Sequence, residues 1–225
     1  MTVPMAIAHR GDPIGERENT LAAFAAAVRL GADMVEIDLR RTQDGTIVVL
    51  HDPTLSRLWE VNQAVADLTV ESLHAVGHGD LRIPTLRQVL ADMEVPLMID
   101  FTGPEVVEGA LSEVRQAGAV ARSLFVSGHI GALRQLRKLA PEVRIGLTWV
   151  KSEPPPLLLL QALDAEYWNP MFRLVTPEWV DAVHEIGLKV STWTVDKHRH
   201  MERVRQAGVD AIVSNRIADL RRFLA

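Results

Sequence analysis

The run "EIDLRRTQDGTIVVLHD", residues 36–52, places Glu36 and Asp38 two positions apart in an apolar stretch and finishes on His51 and Asp52. Side chains at i and i+2 of a strand share one face, so both carboxylates point the same way. Like charges side by side repel, and burying either unpaired is costly, so something positive belongs between them. Further groups of matching chemistry stand elsewhere: His9–Arg10 in "AHRG", Asp100 in "PLMIDF", Trp193 in "STWTV" and Asn215 after "DAIVS". Glu36, Asp38 and Asp100 would give hard oxygen ligands to one divalent cation, Mg²⁺ or Ca²⁺, with Mn²⁺ also accommodated. His9 and His51 titrate near neutrality and suit general acid and base roles. Arg10 offers a fork of donors matched to phosphate oxygens.

Each feature also has a plainer reading. "HRG" alone describes a core histidine beside a surface arginine, and a Glu-x-Asp pair is often a solvated strand face. "HD" before a proline starts turns, and a lone tryptophan is more often core than ligand platform. Against these, Met34, Val35 and Ile37 around the acids are apolar on both faces, which a solvated edge would not be. The plain readings would also need every one of these groups to reach one place by chance.

The elements that must position them recur regularly. Apolar, β-rich runs cover residues 5–9, 34–38, 96–101, 124–127, 144–149, 165–169, 189–195 and 210–215. Helical patterns such as "TLAAFAAAVRL" and "TPEWVDAVHEI" lie between them, and Gly31, Gly118, Gly187 and Gly208 stand where left-handed helix ends are expected. Eight such units in 225 residues predict a (β/α)₈ (TIM) barrel of α/β class, slightly smaller than usual. An open doubly wound sheet is the alternative, but no glycine-rich phosphate loop follows the first strand. Barrel sites form at the C-terminal strand ends, where the chemistry-bearing residues gather: His9 and Arg10 on the first strand, Glu36 and Asp38 on the second, Asp100 on the third.

The rhythm breaks over residues 39–82. Asp44–Gly45 between "LRRTQ" and "TIVVL" predicts a β-hairpin. With a two-residue turn, Asp38 falls opposite His51; a bulged three-residue turn shifts that pairing by one. The segment that follows is polar and poorly periodic, and reads as a small excursion over one end of the barrel. "IPTLRQVLADM" resumes the pattern, with Thr85 as helix N-cap.

Composition bounds the rest. With 48% hydrophobic residues, the chain supports one sizeable core, and residues 1–225 are expected to form one domain. No apolar run reaches membrane-span length, so no stable membrane insertion is expected. The absence of cysteine excludes disulfides and thiolate chemistry. A formal charge of −5 argues against nucleic-acid binding. No basic segment followed by an apolar one marks secretion, so a cytoplasmic location is expected.

The run "AHRG…ENTLAAFAAAVRLGADMVEIDLRRTQDGTIVVLHDPTLSR" closely resembles the glycerophosphodiester phosphodiesterases, and "LTVESL", "IPTLRQVL", "STWTVD" and "GVDAIVSN" resemble later landmarks of that family. The resemblance implies a (β/α)₈ barrel, a divalent cation, and cleavage of a small-molecule glycerophosphodiester to sn-glycerol 3-phosphate and an alcohol. It implies that His9 and His51 are the acid–base pair, that Arg10 holds phosphate, and that Glu36 and Asp38 bind metal. Trp193 would line the substrate pocket, with Glu18 in support. The third strand departs from the family: Asp100 stands where a glutamate is expected and Thr102 where a lysine is. "LWEVNQAV" also replaces the usual Thr- and Gly-containing turn. Two other functions fit less well: a catalytically weak glycerophosphodiester-binding protein, and a related phospholipase acting on intact lipid, for which no basic apolar patch is legible.

Overall fold

The structure is a computed structural model that describes residues 3–78 and 81–225. Eight parallel strands close into a barrel in chain order: Met5–His9, Met34–Arg41, Leu97–Phe101, Ser123–Ser127, Arg144–Trp149, Tyr167–Pro170, Lys189–Thr192 and Ala211–Ser214. The eighth strand pairs back onto the first, with Met5 beside Ala211 and Ala8 beside Ser214. All eight expected strands are present, with ends that differ by a few residues. The seventh stops at Thr192, beyond which Trp193 keeps an isolated parallel bridge to Met171, its carbonyl accepting the Phe172 N–H at 2.8 Å.

Strand alternation sorts the side chains into two layers. Ile7, Met34, Met98, Leu124, Val126, Tyr167, Ala211 and Val213 fill the barrel interior. Their neighbours Ala6, Ala8, Val35, Ile37 and Ile99 face outward into the larger core beneath the helices. Continuing the inward parity along each strand reaches His9 above Ile7, Glu36 and Asp38 above Met34, and Asp100 above Met98. The same alternation that builds an apolar floor therefore delivers the polar groups to the mouth. Between strands, the four glycines read as helix ends all have positive φ.

The hairpin differs from the two-residue reading. Leu39 pairs with Val49, Arg40 with Val48 and Arg41 with Ile47, so Asp38 lies opposite Leu50 and not His51. Thr42 and Thr46 close a three-residue loop, with Gly45 at φ +86° in the left-handed conformation that a bulged turn requires. His51 consequently follows the ladder.

The excursion after it is more structured than its pattern indicates. Helices Ser56–Trp59 and Val70–His74 and a 3₁₀ turn at Val65–Asp67 lead to short strands Gly77–His78 and Leu81–Arg82. Residues 79 and 80 of the predicted insertion lie outside the described residues. Val48, Leu50, Leu55, Trp59, Val65, Leu73 and Ile83 form a separate small core. Elements of four or five residues are too short to repeat a period, which hides this core from pattern reading.

Thr85 caps the helix Leu86–Asp92 as expected, in a reciprocal capping box with Gln88. Thr85→Ala should cost about 1 kcal/mol in urea unfolding. An unchanged midpoint would show that the cap contributes nothing.

Candidate active site

His9, Arg10, Glu36, Asp38, His51, Asp100 and Trp193 all line one cavity of about 100 Å³ at the C-terminal strand ends, floored by Met98, Val126 and Val213. A larger groove of about 490 Å³, between the helix Leu21–Arg29 and the insertion, has His74, Arg82, Gln88 and Asp92 as its polar lining and brings no acids together.

The loop after the first strand is held by backbone conformation. Arg10 and Asn19 both adopt left-handed φ, at +59° and +57°, and the Asn19 N–H donates to the Arg10 carbonyl at 3.0 Å. Gly11, at φ +85°, lies so close to the helix Leu21–Arg29 that a Cβ would come within 2.6 Å of the Ala23 carbonyl carbon. That contact explains the glycine of "HRG". Asparagine tolerates the left-handed region better than most residues, so Asn19 was recognisable in principle.

Glu36 and Asp38 are buried, and Asp100 is partly so. Each of the three offers a carboxylate oxygen, and these lie within 4.8 Å of one another. Burial pushes the Asp100 carboxyl up to about 8, with Asp38 adding to it by repulsion. Burial likewise holds Glu36 well above the usual carboxylate range, reinforced by Asp38 and Asp100. Asp100 does not cap the following turn, which starts at Gly103 with no side-chain cap. Three converging hard oxygen donors, two of them held off ionisation, fit a divalent cation.

Cationic and amide donors temper the repulsion from one side. Arg10 Nε lies 3.1 Å from Asp38 Oδ2, at ion-pair distance but without hydrogen-bond alignment. Its Nη1 donates to Glu18 Oε1 at 2.9 Å, and its backbone N–H donates to Glu36 Oε2 at 3.0 Å. Asn19 Nδ2 donates to Asp38 Oδ2 at 2.8 Å. Asn19 was not singled out in the sequence.

Each histidine is oriented by its own partner. His9 Nδ1 lies 2.7 Å from Asn215 Oδ1, while Asn215 Nδ2 donates to Asp196 Oδ2 at 2.8 Å. The asparagine oxygen therefore accepts, His9 Nδ1 donates, and Nε2 faces the mouth 3.9 Å from Glu36 Oε2. Burial holds His9 below its ordinary pKa, assisted by Arg10. His51 Nδ1 donates to Asp52 Oδ1 at 2.6 Å, leaving Nε2 free. Arg57 donates to both Asp52 and Glu18, and its hydrogen bond is the main reason Asp52 titrates down at about 2. Asp196 and Arg57 were also missed, since their roles depend on partners far away in sequence. Trp193 is fixed by its indole N–H, which donates to the Asn169 carbonyl at 3.0 Å.

An eight-stranded α/β barrel with acids, imidazoles and an arginine at the C-terminal ends of its strands has the architecture of an enzyme. The profile of the glycerophosphoryl diester phosphodiesterase family matches residues 9–219, and the chain belongs to that family. A glycerophosphodiester phosphodiesterase from Caldanaerobacter subterraneus subsp. tengcongensis is 32% identical, over 94% of this chain and 93% of the relative. A solved structure from Silicibacter pomeroyi superposes with TM-score 0.91 at 25% identity, covering 99% of this chain and 93% of that one. An Oleispira antarctica phosphodiesterase, solved with the product sn-glycerol-3-phosphate, shares the fold at TM-score 0.90 and 22% identity, over 99% and 97% of the two chains.

The raised Asp100 pKa has a consequence for stability. Between its ordinary 3.8 and about 8, the unfolded chain releases a proton that the folded metal-free protein keeps. Its contribution to folding therefore falls as pH rises through that window. In metal-free protein at pH 8, Asp100→Asn should melt higher than wild type, and the gap should close toward pH 4. Added divalent cation should raise the wild-type Tm and leave the variant's nearly unmoved. A variant no more stable than wild type at pH 8 would show that Asp100 is not under this electrostatic load.

Proposed function

We propose that this protein hydrolyses glycerophosphodiesters to sn-glycerol 3-phosphate and an alcohol with the help of one divalent cation. The observation that supports this best is the convergence of His9, Arg10, Glu36, Asp38, His51 and Asp100 on one cavity in a member of this family. Glu36, Asp38 and Asp100 would hold the cation, Mg²⁺ or Ca²⁺, with Mn²⁺ also accommodated. When bound, such an ion neutralises phosphate oxygens and lowers the pKa of a coordinated nucleophile.

The chain's own groups do the rest. Arg10 binds a phosphate oxygen, and Trp193 forms the wall against which the substrate lies. His9, kept neutral by burial and by Arg10, accepts the nucleophile's proton at Nε2. His51, with Nδ1 bound to Asp52, delivers a proton from Nε2 to the departing alkoxide. Asp52 stabilises the imidazolium form and fixes the ring's orientation, as a buried carboxylate does for other catalytic histidines.

Release of sn-glycerol 3-phosphate from glycerophosphocholine and related diesters tests the reading directly. Activity should vanish in excess chelator and return with one of the three cations. His9→Ala and His51→Ala should each lower kcat by roughly 10²–10⁴ on these substrates. A nitrophenyl diester, whose leaving group needs little protonation, should rescue His51→Ala but not His9→Ala. Full turnover after proven metal removal would overturn the metal site, and rescue of His9→Ala alone would exchange the two roles. Tight binding with no turnover under any of the cations would make the protein a binder.

A further inference from the structure

Arg40 lies two residues past Asp38 on the same side of the second strand, where that strand rises above the barrel. Its Nε donates to the His51 carbonyl at 2.9 Å, Nη2 donates to the same oxygen, and Nη1 donates to Thr102 Oγ1 at 3.0 Å. The gripped carbonyl belongs to the peptide that joins His51 to Asp52. The clamp thus holds the backbone between the imidazole and the carboxylate that orients it. Thr102 in turn stands two residues past Asp100, just beyond the third strand.

This grip matters because the sheet gives out just before His51. The return strand of the hairpin ends at Val49, and the ladder continues one residue further through Leu50 N–H to the Asp38 carbonyl at 2.9 Å. His51 lies past that bond, in a bend. A rigid planar fork spanning His51 and Thr102 does what the ladder no longer does: it fixes His51 relative to the strand that carries Asp100.

We propose that Arg40 is a positioning residue for the reaction, setting the placement of His51 by tying its backbone carbonyl to Thr102. The inference rests on the reading of His51 as a proton-transferring group. Such a residue acts only through the group it positions, so its effect should vanish when that group is gone.

The experiment is a double-mutant cycle on an unactivated glycerophosphodiester at saturating divalent cation, with thermal melts for every variant. Arg40→Ala should lower kcat roughly tenfold or more, a cost in keeping with a misplaced catalytic group, while KM moves little. In the His51→Ala background the same change should have no further effect. Arg40→Lys should fall between wild type and Arg40→Ala, because an ammonium keeps the charge but lacks the rigid planar fork that spans the two acceptors. Thr102→Val keeps the guanidinium and should cost a few-fold, roughly, in wild type and nothing in Arg40→Ala. Should Arg40→Ala fail to fold, Arg40→Lys and Thr102→Val carry the cycle with His51→Ala. Losses that repeat in full without the imidazole, or a raised KM with unchanged kcat, overturn the proposal and make Arg40 a direct substrate contact. Undiminished turnover in His51→Ala itself would instead defeat the catalytic reading of His51.

Discussion

Glu36, Asp38 and Asp100 present carboxylate oxygens within 4.8 Å of one another at the mouth of the barrel. At an effective dielectric near 20, each ionised pair at that spacing costs on the order of 3 kcal/mol. Three such pairs approach the whole net stability of a domain, roughly 5–15 kcal/mol. Carrying all three charges at neutral pH without a cation would therefore be costly. Asp100 at about 8 and the upward push on Glu36 come first from burial, to which this repulsion adds. The surrounding donors are distributed accordingly. Arg10 and Asn19 are aimed at Asp38, the Arg10 backbone N–H goes to Glu36, and Arg40 stands on the Asp100 side.

The fold accommodates this load by separating what must be apolar from what must be charged along single strands. Met34, Glu36 and Asp38 share one face of the second strand, as Met98 and Asp100 do on the third. Each strand passes from barrel packing to site chemistry within two or four residues. A substitution at Met98 would disturb the floor of the cavity as well as the core. The larger core outside the strands carries most of the apolar burial and has no part in the site. This division lets eight short strands support a cluster of like charges without loss of the barrel.

Much of this was legible in the sequence because it rests on local periodicity. The eight strand runs, the helix-end glycines and the Thr85 cap are all set by residues within a few positions of each other. The hairpin register was not, since Asp44–Gly45 suits a two-residue turn as well as the last two positions of a three-residue one. The Thr42–Thr46 closure decides between them, and it is made only in the folded hairpin. Partners across the barrel were harder still. Asp196 reaches His9 through Asn215, and Arg57 reaches Glu18 from 39 residues away. No spacing rule predicts such contacts. The core of the insertion was hidden for a different reason, because its elements are too short to show a period.

The two histidines end up anchored to different bodies of the molecule. His9 belongs to the barrel: it ends the first strand, and Asn215 and Asp196 hold it from the end of the eighth strand and the loop after the seventh. His51 belongs to the insertion, whose helix supplies Arg57 to Asp52 and whose small core is packed apart from the barrel's two clusters. The distance between the proposed base and acid is therefore set by how the insertion sits on the barrel. Among the links that cross that junction at the mouth are Arg57 to Glu18 on the first loop, and Arg40 from the barrel's second strand to the His51 carbonyl. Both are charge-assisted and partly exposed, so each adds less stability than a buried apolar contact would, but each fixes direction. In this chain the geometry of the acid–base pair is held by directed hydrogen bonds across a junction between two cores, while the cores themselves supply the stability.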